Sequence, residues 1–159
     1  MTSQVSRNRQ NGKKYEGELV KILRENDVPA RLGRSNEEGD VILPELNVII
    51  EAKSTNDDIF SILKNEKRKD QFRRLHLSPA MIFYAVRFKG EGLNGWRFYS
   101  IPEKPIILRK HEGYSLKEFL FIVSEKKNDL REDNRFIDNL LINTPKPSEI
   151  ASIELVRRM

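Results

Sequence analysis

The sequence holds no cysteine, and that absence removes a disulfide framework, a thiolate zinc site and a cysteine nucleophile together. It fits a reducing cytosol. No apolar run approaches the roughly 20 residues needed to span a bilayer, and the polar start MTSQVSRNRQNGKK lacks the apolar segment of a signal peptide. The expectation is a soluble, cytoplasmic protein with no membrane contact. Histidine is scarce: His76 and His111 stand alone and far apart, and neither is given a role. Internal repeats and low-complexity tracts are missing as well.

What remains is a chain of 159 residues, enough for one domain with a genuine core and no staples. Its 29 Lys and Arg against 24 Asp and Glu give a net charge of +5 and a pI near 9.5, a balance that favours polyanions without naming one.

Residues 1–10 are polar, Arg-bearing and without periodicity, and read as a flexible N-terminal arm. From about Asn11 to Asn26, Tyr15, Leu19, Val20, Ile22 and Leu23 recur at helical spacing, and the helix stops near NDVP. VPARLGR alternates weakly; DVIL, NVIIEAK and AMIFYAVRF are strand-like. Between them, from about Asp57 to Leu75, Ile59, Ile62, Leu63, Phe72 and Leu75 set among lysines and arginines predict a helix. GEGLNG is a turn joining AVRF to WRFYSI, and PIILRK is a candidate further strand. Trp96, Phe98 and Tyr99 belong to the sheet core, ahead of any base-stacking role. SLKEFLFIVSEK opens with Ser115 and Glu118 at capping-box spacing and continues as an amphipathic helix. The folded domain therefore runs over 11–127, followed by a C-terminal helical extension or tail over 128–159, in which NRFIDNLL reads as a short helix and NTPKPS as a linker.

The stretch GDVILPELNVIIEAKS, from Gly39 to Ser54, carries the chemistry. As a hairpin centred between Glu45 and Leu46 it pairs 43 with 48, 42 with 49, 41 with 50 and 40 with 51. Asp40, Ile42, Ile49, Glu51 and Lys53 then share one face, and Asp40 faces Glu51 across a rung. Like charges opposed in a sheet repel by about 0.2–1 kcal/mol or more when desolvated. Lys53 supplies one compensating charge, and a divalent cation bridging the carboxylates would supply the rest. Hard oxygen ligands completed by water and a phosphodiester suit Mg²⁺, with Mn²⁺ as a substitute. Glu16, on the first helix, is expected to reach the same rim, with Glu18 as its rival.

An acidic residue followed about ten positions on by Glu-x-Lys, here GD at 39–40 and EAK at 51–53, resembles the signature of the PD-(D/E)xK nuclease superfamily, with Gly39 in the place of the Pro. The surroundings resemble something narrower, the archaeal-type Holliday junction resolvases. NGKKYEGELVKIL carries a helix glutamate matching Glu16, GRSNEEGD a serine-bearing loop before the aspartate, EAKS the central strand, and FYAVRF, GWRFYSI and GYSLKEFL follow in the family's order, over roughly residues 11–125. The resemblance implies an α/β, restriction-endonuclease-like fold with a mixed central β-sheet flanked by helices. It implies a homodimeric, Mg²⁺-dependent endonuclease that resolves four-way junctions by paired phosphodiester hydrolysis. The catalytic set it implies is Glu16, Asp40, Glu51 and Lys53, with Ser35 from the loop; Glu16, Asp40 and Glu51 would be the metal ligands.

Branched double-stranded DNA would meet Arg7 and Arg9 of the arm, Lys13 and Lys14 of the first helix, Arg31, Arg34, and Lys64, Lys67 and Arg68 of the basic run, which otherwise reads as a solvated helix face. Where many family members place an arginine after the helix glutamate, this chain has Gly17, so a phosphate contact there is lost or supplied by Arg31, Arg34 or the arm. Two alternatives stay open: a nuclease of the same superfamily with another DNA target (restriction, repair or viral genome processing), and a catalytically silent DNA-binding module. No partner is assigned to the C-terminal segment.

Overall fold

The computed structural model describes residues 4–90 and 92–142, with side chains described over 13–90, at 92 and over 94–132. Contacts divide the chain into two compact units, Met1–Phe121 and Ile122–Met159. The first carries helix α1 (Gln4–Glu25), strands β1 (Arg31–Leu32), β2 (Val41–Leu43), β3 (Val48–Thr55) and β4 (Ile59–Ser61), helix α2 (Glu66–His76), and strands β5 (Met81–Phe88), β6 (Trp96–Ser100), β7 (Ile107–Arg109) and β8 (Tyr114–Ser115). Helix α3 (Leu116–Ile142) begins in the first unit, and its residues from 122 on are the described part of the second. Among the described residues no helix is long and apolar enough to cross a membrane.

The central sheet has six strands in the order β1-β2-β3-β5-β6-β8, and β4 and β7 form a separate two-stranded sheet. All neighbours in the large sheet are antiparallel except β3 and β5, which run parallel from Val48↔Met81 to Thr55↔Phe88. Parallel neighbours need a long crossover. Here β4 and α2 are that crossover, laid over one face of the sheet. The residues of β5 divide accordingly. Ile82, Tyr84, Val86 and Phe88 join Phe60, Ile62, Phe72 and Leu75 in one buried cluster, while Phe83 meets Phe119 edge-on at 5.1 Å between ring centroids. Phe119 also stacks on Phe98 at 4.1 Å. With both faces covered, β5 is an almost unbroken apolar run, as a doubly buried strand must be.

The hairpin forms in the expected register, with Val41↔Ile50, Ile42↔Ile49 and Leu43↔Val48; Asn47 closes its loop at φ 53°. Trp96, Phe98 and Tyr99 are buried, as expected for core. The capping box is in place: Glu118 N–H donates to Ser115 Oγ at 3.2 Å and Ser115 N–H to Glu118 Oε1 at 3.1 Å. PIILRK supplies a strand, β7, but it joins the small sheet.

Three expectations need correction. The segment read as one helix from Asp57 splits, because Phe60 and Ile62 are buried while Ile59 and Leu63 are exposed: a period of two, which a strand satisfies. The helix starts only after Asn65, whose Oδ1 accepts the N–H of Arg68 at 2.9 Å and caps it. Second, α1 begins at Gln4 instead of near Asn11, so residues 4–10 of the arm are helical backbone. Third, α3 runs without a break through NRFIDNLL to Ile142, where a separate short helix was expected. NTPKPS and the last residues lie outside those described.

Candidate active site

Glycine 39 shapes the acidic rim. Its φ of +89° lies in the region side chains avoid, and a Cβ there would run into the side chain of Ile49. The kink takes Asp40 out of the regular ladder: its N–H donates to Ile50 O at 3.0 Å, one residue off the Val41↔Ile50 register. Asp40 is therefore not squarely opposite Glu51, as a regular hairpin requires. Its carboxylate instead leans along β3, where Oδ2 accepts the Ala52 N–H at 2.8 Å. The offset, like that of a bulge, re-aims one side chain at the sheet's rim.

Glu51 is 1% exposed, the one charged residue of the buried set among the described residues. Gln71 Nε2, from α2, donates to its Oε1 at 2.6 Å, and Lys53 Nζ lies 3.1 Å from the same oxygen. Burial pushes the Glu51 carboxyl up to about 8, with Lys53 opposing and Asp40 adding to the rise. Glu16 is raised to about 7, first by burial and then by the charge of Asp40. Neighbouring Tyr84, the β5 partner of Glu51, is likewise raised by burial and by Glu51. Three carboxyl groups thus crowd one amine.

Glu16, Asp40, Glu51 and Lys53 line a cavity of about 780 Å³. Lys13, Lys67 and Arg68 share its wall. A second cavity of about 420 Å³ opens on the other side of Glu16, Asp40 and Glu51 and takes in Ser35, Arg34 and Arg74. The acid cluster is a partition between two openings.

Packing sends the two glutamates of the first helix to different places. Glu18 accepts the Trp96 indole N–H at 3.2 Å and lies 3.4 Å from Arg87 Nε; it is absorbed into the contact between α1 and β6. Glu16 faces the cavity. Of the expected DNA-binding residues, Arg31 is held by both oxygens of Glu37 at 2.7 Å, a pairing that draws the Glu37 carboxyl down to about 2. Arg68 lies over the Phe60 ring at 4.2 Å and donates to Ser61 O at 2.8 Å. Lys14 and Lys64 are exposed and line neither cavity. Arg7 and Arg9 sit on α1, and their side chains lie outside those described. Gly17 is exposed with open space around it, while Arg34 stands at the neighbouring opening.

Gln71 is the residue that sequence reasoning missed. The available signal was a lone amide in the run KRKDQFRRL, one turn beyond Lys67 and Arg68, on the helix that follows the Glu-x-Lys strand.

The fold and the acidic rim together define a restriction-endonuclease-like domain. Among solved structures the chain resembles Hjc, a Holliday junction resolvase from the archaeal hyperthermophile Archaeoglobus fulgidus, with a TM-score of 0.52 and 16% identity over 69% of this chain and 95% of that one. The two share a fold. No family model and no curated protein matches the sequence.

Proposed function

We propose that this protein is a metal-dependent endonuclease that resolves four-way DNA junctions. The observation that carries the proposal is the meeting of Glu16, Asp40, Glu51 and Lys53 in one cavity whose wall continues into Lys67 and Arg68 of α2. Carboxylates repel phosphate, so a site for DNA alone gains nothing from three of them beside one lysine.

The donor set fits a hard divalent cation. Among the described residues no ready-made group of three or more ligands is assembled, yet Mg²⁺ characteristically takes one or two protein carboxylates and completes its shell with water and phosphate. Asp40 and Glu51 are the natural pair, with Glu16 joining directly or through water. When bound, the cation supplies polarisation of the phosphoryl oxygen and a more acidic water. The chain's own groups do the rest. Lys53, 3.1 Å from Glu51 and partly exposed, can turn to the phosphate and stabilise charge as it grows on the non-bridging oxygens. Lys67 and Arg34, at the two openings, flank the partition and can hold the backbone on either side.

Symmetric cuts on a two-fold junction are most simply made by two copies of one site, which supports a homodimer. The test is a labelled four-way junction beside matched linear duplex in Mg²⁺. Selective, paired incision of the junction is expected; equal cutting of both would leave a nuclease with another target, and no cutting of either would end the proposal.

A further inference from the structure

We infer that Gln71 is a positioning residue that holds Glu51 in register for a divalent cation while leaving its charge intact; the inference rests on the function proposed above. Gln71 Nε2 and Lys53 Nζ converge on the same oxygen of Glu51, at 2.6 and 3.1 Å, and Oε2 takes neither donor. Lys53 is also the group proposed to serve the phosphate, so its hold on Glu51 is shared. When its amine turns away, the amide is the donor that stays. It comes from α2, a helix anchored by Phe72 and Leu75 in the core, so its position is set by packing and not by the substrate.

The chemistry of the donor matters as much as its place. A primary amide donates without carrying charge, so it orients the carboxylate and leaves the negative charge for a cation. A lysine at 71 would donate equally well and would also neutralise Glu51, competing with the metal. Gln71 further stands where the two cavities meet, lining both, which places it beside the partition on which a bound ion must sit. Groups that orient a ligand from behind typically change metal affinity by about 10- to 100-fold when removed.

The experiment titrates Mn²⁺ into the full chain without DNA, by calorimetry or by the loss of free-ion signal in electron paramagnetic resonance. Junction binding is measured in Ca²⁺ and cleavage in Mg²⁺, for wild type, Gln71→Met and Gln71→Lys. Both variants should bind Mn²⁺ about tenfold or more weakly and cut correspondingly slowly, with junction affinity within about threefold and melting temperature close to wild type. Gln71→Met with wild-type Mn²⁺ affinity would overturn the positioning role. Gln71→Lys with wild-type Mn²⁺ affinity would overturn the claim that neutrality matters. If one variant does not fold, the other decides. A wild type that binds Mn²⁺ but cuts no DNA ends the nuclease reading while the titration still decides the role of Gln71; a wild type that binds no Mn²⁺ overturns both.

Discussion

Asp40 accepts the backbone N–H of Ala52 at 2.8 Å, so the aspartate is tied to β3 at the residue after Glu51 while its carboxyl also crowds that of Glu51. Two substitutions separate its roles. Asp40→Asn retains an acceptor for Ala52 and should fold normally, cut junctions at least about 100-fold more slowly and bind them as well or better, since a charge facing phosphate is gone. Asp40→Ala also strands the Ala52 N–H and should lose about 1–2 kcal/mol in a denaturant titration.

Glu16 and Glu18 should respond in opposite ways. Glu16→Gln is expected to slow cleavage by about 100-fold at nearly unchanged stability. Glu18→Gln should cut normally and melt lower, because it weakens the support of Trp96 and Arg87. Thermal melts beside junction cleavage rates check both.

The acid cluster has a signature in pH. Glu16 and Glu51 rise from 4.5 to about 7 and about 8, so between pH 4.5 and 8 the folded state holds protons that the unfolded chain has released. Stability without metal must fall as pH climbs through that window. Glu51→Gln should flatten the fall, and Mg²⁺ should offset it above pH 8. Melting temperature across pH, with and without Mg²⁺, reads each effect; a wild-type curve that rises with pH in the absence of metal would contradict the geometry of the cluster.

Lys53→Met should leave junction affinity within a few-fold and reduce cleavage about 10²- to 10³-fold. Lys67→Ala should do the reverse, weakening binding and lowering the slope of log K against log salt by about 0.9.

Much of the site was legible because a hairpin is a local object. The spacing of Asp40, Glu51 and Lys53, the turn at Glu45 and Leu46, and the Ser115–Glu118 cap all depend on residues close in the chain. The region from Ile59 to Leu63 misled because isoleucines at 59 and 62 fit helical spacing as well as Phe60 and Ile62 fit alternation; only the burial of Phe60 decides between them, and Asn65 was the overlooked start signal. The choice of Glu16 over Glu18 depends on how α1 rolls against β6, and the reach of Gln71 on how α2 settles over β3. Neither is written in spacing.

The single parallel pair in the sheet has a further meaning. Since β3 and β5 point the same way, the polypeptide must travel back along the sheet between them, and that return journey is what roofs the acid residues. The cover over the site is thus a by-product of topology, because one stretch of chain both makes the crossover and lines the cavity.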